Sequence, residues 1–217
     1  MRLAKVTLLL ILMIPSSLLA MDLLDWNFDD GTMGPFTPLG QGWEVTDGTL
    51  HCYTEGFATF SSVLAGEPYW TDYTVAFDVR AEGSVNQTVR FRVADFQDYY
   101  EINVRTSPLS DVVLGRMDYY GYQILASAPL ETQLGEWHHI EVDITDFKTT
   151  VRVDGYEAFT HIDHDQPQEL VSGSIALVCL SGGNVLWQDI WFDNVTVSSQ
   201  VVAVEAVCWS GVKELFR

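Results

Sequence analysis

Between Trp137 and Phe159, WHHIEVDITDFKTTVRVDGYEAF, apolar and polar positions alternate almost without fault. Ile140, Val142 and Ile144 fall on one side and His139, Glu141, Asp143 and Thr145 on the other, the period of two that a half-buried strand requires. Asp146 to Lys148 interrupts the pattern with turn-forming residues. Val151 and Val153 then resume the apolar side, Thr150 and Arg152 the polar one, and Asp154-Gly155 marks the next tight turn. The stretch predicts a hairpin leading into a third strand. A hairpin alone is marginal in water, so the remaining chain must supply further strands and a second apolar layer.

The same period runs through the centre of the chain. Val75, Phe77 and Val79 share a side, as do Val89, Phe91 and Val93, and then Tyr100, Ile102 and Val104. Opposite them stand Asp78 and Arg80, then Arg90 and Arg92, then Tyr99, Glu101, Asn103 and Arg105. This predicts a meander with a charged outer face, on which opposite charges across neighbouring strands contribute about 0.2–1 kcal/mol per pair. Upstream, WEVTDGTLHCY from Trp43 to Tyr53 is a hairpin around Asp47-Gly48, and Phe57 to Leu64 a further strand. Ser174 to Leu180 is apolar on both sides, as a strand covered on each face would be. Val185 to Val197 supplies a closing strand. Helical spacing is confined to the two ends, where Trp209, Val212, Leu215 and Phe216 would share one side of a short helix. The expected organisation is one all-β domain over residues 21–199, a two-sheet antiparallel sandwich, followed by a linker and short helix over 200–217.

Several of these residues carry a resemblance. W-H-x-I-x-V at Trp137 to Val142 followed by V-x-V-D-G at Val151 to Gly155 resembles a strand pair of laminin-G-like and concanavalin A-like jelly rolls. F-D-D-G at Phe28, G-W-x-V-x-D-G-x-L at Gly42 and F-D-N-V-T-V at Phe192 are similar to the opening and closing segments of bacterial modules of that class, so the resemblance spans roughly Leu23 to Ser199. It implies a jelly-roll fold and, in many such domains, binding of glycans or proteins without chemistry. It also implies a structural calcium ion joining the first and last strands, for which the matching acids here are Asp29, Asp30 and Asp193.

Composition narrows the function. The chain has 217 residues, enough for one sandwich, and a formal net charge of -19, which opposes nucleic acid and anionic membrane surfaces alike. The charges are unevenly placed: Met21 to Val79 contains no Lys or Arg, whereas Arg80, Arg90, Arg92, Arg105 and Arg116 crowd the following section. Met1 to Ala20 reads as a secretory signal, with Arg2 and Lys5 before an apolar run from Val6 to Ile14 and small residues up to Ala20. The run is too short for an ordinary membrane span, so the mature protein is expected in the cell envelope or outside the cell, not inserted in the membrane. Cys52, Cys179 and Cys208 cannot all pair within one chain. Cys52 and Cys179 are either buried free thiols or a disulfide, and the fold does not depend on which.

Three groups of residues could carry function. Arg90, Arg92, Glu101, Asn103 and Arg105 offer bidentate hydrogen bonds on one sheet face, and Tyr119, Tyr120 and Tyr122 around Gly121 offer stacking planes, Tyr119 and Tyr120 foremost; together they suit a glycan or polysaccharide. The same residues also fit an exposed charge ladder, a protein-binding face, and the wet edge of a core. Glu141, Asp143 and Asp146 resemble the E-x-D-x-x-E strand of laminarinase- and lichenase-type endoglucanases, which would make Glu141 a nucleophile, Asp143 its helper and Asp146 the acid. The last position is one methylene short for carboxyls that must stand about 5–5.5 Å apart. Finally, His161, Asp163, His164 and Asp165 in HIDHDQ could ligate a transition metal or form a solvated loop.

Overall fold

The computed structural model describes residues 21–56, 59–82, 86–106, 109–180 and 187–200. The expected signal segment, the short helix over 209–217 and Cys208 lie outside the described residues, as do the outermost positions expected for two strands, Phe57 and Val185.

In chain order the strands are β1 (Asp22–Trp26), β2 (Thr37–Leu39), β3 (Trp43–Thr46), β4 (Thr49–Glu55), β5 (Phe60–Ala65), β6 (Tyr73–Glu82), β7 (Asn86–Val93), β8 (Tyr99–Arg105), β9 (Asp111–Asp118), β10 (Gly121–Pro129), β11 (His138–Thr145), β12 (Lys148–Val153), β13 (Tyr156–Ile162), β14 (Ser174–Leu180) and β15 (Trp187–Ser199). They form two antiparallel sheets. The first runs β13-β12-β11-β6-β15-β4-β3, with β1 also paired to β15; the second runs β10-β9-β8-β7-β14-β5-β2. The expected all-β sandwich is the fold observed, and the hairpin predicted from Trp137 onward is β11-β12, with Val142 opposite Val151 and Glu141 opposite Arg152.

The core lies between the sheets. Phe77, Val79, Ile140, Val142 and Phe192 come from the first sheet and Val89, Phe91, Ile102, Leu114, Ile175 and Leu177 from the second. Burying each such side chain stabilises the fold by about 1.5–3 kcal/mol. Cys52 on β4 and Cys179 on β14 are buried and unbonded, the Cys179 thiol reaching the Cys52 carbonyl at 3.7 Å. The bonding of Cys179 and burial both push the Cys52 thiol far above its usual range, which keeps it protonated and unreactive.

Several strands carry bulges, and the one on β7 moves a candidate residue. On β7, Val89 and Phe91 are inward and Arg90 outward, but Arg92 has a φ of 48° and the β14-β7 register shifts between Ser174 and Ala176. This bulge turns Arg92 inside, where its side chain is only 4% exposed. Its guanidinium donates to the carbonyl oxygens of Thr71 and Asp146 and to Asp72, while its amide donates to the Tyr73 hydroxyl at 2.8 Å. One side chain thereby joins the start of β6 to the β11-β12 turn. Burial pulls the Arg92 pKa down, and the neighbouring Asp72 and phenol oxygens oppose that pull. Two backbone carbonyls lose this donor if it is removed, and Asp72 is left with the Asp146 amide alone. Arg92→Met is therefore expected to cost about 3–5 kcal/mol of unfolding free energy. Arg152→Met, which deletes a half-exposed ion pair, should cost no more than about 1 kcal/mol. Denaturant titration of the two variants checks the contrast.

Candidate functional site

The outer faces of the two sheets differ. On the second sheet Tyr99, Val113, Ala176 and Val178 point away from the core yet are 4%, 2%, 3% and 1% exposed. Thr88 and Ser62 on the same face are equally covered. A sheet face this dry carries large side chains lying flat across it.

The register shows how. Arg90 on β7 stands opposite Glu101 on β8, Thr88 opposite Asn103, and Asn86 opposite Arg105. Glu101 in turn faces Gly115 on β9, and Arg105 faces Asp111. Because Gly115 has no side chain, the Tyr122 ring from β10 lies over it; a Cβ there would sit 2.1 Å from the Tyr122 hydroxyl. That hydroxyl bonds to Glu101, and burial together with the nearby carboxylate pushes the phenol above its ordinary range, so it remains a donor. Arg90 lies flat between two rings, 3.7 Å from the centre of Tyr99 and 4.7 Å from that of Phe60, with its Nε donating to Glu101 at 3.4 Å. Arg105 grips Asp111 through both Nε and a terminal nitrogen.

Next to these satisfied pairs are two polar atoms with no partner. Thr88 Oγ1 and Asn103 Oδ1 are buried, face each other across β7 and β8, and make no hydrogen bond. An orphaned buried acceptor or hydroxyl costs about 1–3 kcal/mol. Both atoms are closed to water as the face stands, so a ligand hydroxyl would complete them only where the side chains lying over them move aside.

Four of the candidate glycan contacts, Arg90, Glu101, Asn103 and Arg105, thus occupy one face. Arg92 is the exception and a correction to the alternation: the bulge removes it to the interior, where it has a structural task. Tyr119 and Tyr120 project from the β9-β10 turn, 89% and 85% exposed, their rings meeting edge to face at 5.5 Å. Tyr122, expected with Tyr119 and Tyr120 as a platform at the turn, instead lies over the sheet, and the alternation pattern did not single out Thr88 or Phe60. The signal for Tyr122 was Gly115, a glycine inside a strand, which marks close approach of another group.

The carboxylates of the endoglucanase-like strand sit elsewhere. Glu141 and Asp143 lie on the outer face of the first sheet, both bound by Arg152. Asp146 is at the β11-β12 turn with a φ of 49°, its carbonyl engaged by Arg92. Arg152 thus occupies two of the three carboxylates, and the third stands past the end of the strand, at the turn. The HIDHDQ segment is no solvated loop at Asp163, which is buried and accepts from the Tyr100 hydroxyl and Arg116, each at 2.7 Å. Burial alone would raise its pKa, but those bonds and the guanidinium charge win and hold it below the usual carboxylate range. Arg116 Nε also stands 3.0 Å from Asp118, without hydrogen-bond alignment.

Of the acids expected at a calcium site, Asp30 is committed to its own turn, accepting from the Thr32 amide and hydroxyl. Asp29 and Asp193 do approach one another, with Asp78 nearby. Burial first, and then the charges of Asp78 and Asp29, raise the Asp193 pKa against the pull of the Asn194 amide. Among the described residues no three His, Cys, Asp or Glu side chains converge as a metal cage. The residues as they stand do not form a complete calcium site.

No curated protein matches the chain. Among solved structures, it is similar to the carbohydrate-binding module CBM66 from Bacillus subtilis, with a TM-score of 0.61 and 16% identity over 77% of this chain and 98% of that one. Domain 4 of AbnA, a GH43 extracellular arabinanase from Geobacillus stearothermophilus in complex with arabinotriose, gives a TM-score of 0.57 and 15% identity over 85% and 95% of the two chains. The exoplasmic/lumenal domain of VIP36 in a Ca2+/Man3GlcNAc-bound form gives 0.62 and 9% over 84% and 90%. At such identities the likeness is one of fold. A family match is more specific: the 3-keto-alpha-glucoside-1,2-lyase-like domain aligns with residues 22–198, β1 to the end of β15, and the chain belongs to that family.

Proposed function

We propose that the protein binds carbohydrate on the outer face of its second sheet, a glycoside lying across β7, β8 and β9. The observation that carries this is the unpartnered pair Thr88 Oγ1 and Asn103 Oδ1, set among Arg90, Glu101, Arg105 and Tyr122. Sugar hydroxyls both donate and accept, so they can complete such a pair, and the Tyr122 ring offers an apolar plane for a pyranose face. The two cations on this face are matched by Glu101 and Asp111, so a neutral sugar fits better than a uronic acid. An α-glucoside is the natural first ligand, given the family's description. The leader-like sequence at Met1 to Ala20 supports a place outside the cytoplasm, in the envelope or secreted.

The family match favours a second reading, that the bound sugar reacts. Elimination across C1 and C2 of a 3-keto glucoside needs a base at the C2 proton, whose acidity the adjacent ketone supplies, and a donor at the ketone oxygen. Glu101 is the carboxylate on this face with a phenol and a guanidinium beside it, and it takes the base's role in that reading once the bound sugar displaces one of those two partners. Glu141 and Asp146 do not, for the reasons given above.

Calorimetric titration with α-glucosides tests the binding claim. Thr88→Val and Asn103→Ala should each weaken binding about ten-fold or more, in line with deleting a buried hydrogen bond. Glu141→Gln should leave binding unchanged. Loss of binding in Glu141→Gln, or none in the wild type, contradicts the proposal. If the domain is a lyase, Glu101→Gln abolishes turnover of a 3-keto glucoside; if it only binds, no turnover occurs in the wild type.

Calcium remains a proposal on Asp29 and Asp193 alone, with backbone oxygens and water supplying the other ligands, because Asp30 is held in its turn and Asp78 is engaged by His139 and Asn194. A raised Asp193 pKa means the native state holds that proton more tightly than the unfolded chain. Its stabilising contribution is therefore complete below the ordinary carboxylate range and is lost as pH rises through the raised native value. Asp193→Asn should flatten the melting temperature over that window. Millimolar calcium should raise the wild-type melting temperature near neutral pH and not that of Asp193→Asn. An equal response in both proteins rules the site out.

A further inference from the structure

We infer that the glycoside this face accepts carries an apolar aglycone, held in a cleft adjoining the polar row. The inference rests on the carbohydrate-binding reading and adds the chemistry of the group attached to the sugar. The cleft has a volume of about 450 Å³ and lies on the same outer face, over β2, β5, β14 and the end of β7. A volume of that order suits one small-molecule substituent.

The lining comes from alternation. On β5, Val63 and Ala65 face the core, so Phe60, Ser62 and Leu64 face out; on β14, Ile175 and Leu177 face the core, so Ser174 and Ala176 face out. Leu39 of the edge strand pairs with Ser62 and extends the apolar floor, and Phe96 closes one side with its ring 67% exposed. Polar members are few: Ser62 on the floor, and at the rim Asp95, whose Oδ1 accepts from the Gln97 and Asp98 amides. The Ser174 hydroxyl is turned to the Val93 carbonyl, and Arg90 shows the cleft a guanidinium already stacked on Phe60 and bonded to Glu101.

Arg90 makes the two regions continuous. It lines the cleft, its cross-strand partner is Glu101, and Thr88 lies two positions along the same face of β7, roughly 7 Å away at strand spacing. A sugar bonded to Thr88, Asn103 and Glu101 therefore directs one substituent past Arg90 into the cleft. A free oligosaccharide would leave Leu39, Leu64 and Phe96 against hydroxyl groups, and their burial favours an aryl or alkyl group instead.

The test compares methyl, phenyl and hexyl α-D-glucosides by calorimetry on the full chain. Phenyl and hexyl glucosides should bind at least ten-fold more tightly than the methyl glucoside. In Leu64→Gln and Phe96→Ser, which change one half-buried and one exposed side chain, the advantage should fall to about two-fold or less with methyl glucoside affinity unchanged. Equal affinity for all three in the wild type overturns the aglycone inference and leaves the sugar-binding reading standing. An aryl or alkyl advantage that survives in both variants also overturns it. Binding of none of the three overturns the sugar-binding reading, and this inference with it.

Discussion

A strand has two faces and a buried polar atom needs a partner; the architecture of this protein follows from those two constraints acting on one sheet. The inner face of the second sheet is filled by Val89, Phe91, Ile102, Leu114, Ile175 and Leu177. Its outer face is nearly as dry, with Tyr99, Val113 and Val178 hardly exposed. Polar groups placed on such a face must be matched. Arg90 is matched by Glu101 and two rings, Arg105 by Asp111, Glu101 by Tyr122. Thr88 and Asn103 are not, and the cost of leaving both atoms unpaired falls on the strands next to the cleft.

The first sheet solves the same problem differently. Its outer face carries Arg152 with Glu141 and Asp143, His139 with Asp78, and Arg80 stacked on Trp191 at 4.2 Å. Trp191 in turn stacks on His51 at 4.8 Å, whose two ring nitrogens face Glu44 and Asp189. Apart from the Arg80 Nε, which has a ring beneath it and no acceptor, these side chains satisfy one another in a ladder of pairs that contributes modestly to stability. Carboxylate spacing along one strand, which made Glu141 and Asp143 resemble a catalytic pair, is equally what an ion-pair ladder looks like from sequence.

The sandwich itself was legible because burial imposes a period of two that survives in almost every strand, as at Ile140, Val142 and Ile144. Membership of the outer face was legible for Arg90, Glu101, Asn103 and Arg105 for the same reason. Arg92 was not, because a bulge adds one residue and reverses the faces beyond it, and no side chain in Arg92-Val93 announces a φ of 48°. Asp163 was hidden because its partners, Tyr100 and Arg116, lie 63 and 47 residues away in sequence. The cleft was illegible for a related cause. Its walls come from four separate segments, each of which reads as an ordinary half-buried strand or loop.

The face used for recognition is best decided by backbone amide shifts in a two-dimensional nitrogen–proton NMR titration with phenyl α-D-glucoside. Perturbations confined to Thr88 to Arg90, Glu101 to Arg105, Gly115 and the cleft residues Leu64 and Ala176 are the predicted result. Perturbations centred on Glu141 to Asp143 and Trp191, on the opposite sheet, would contradict it.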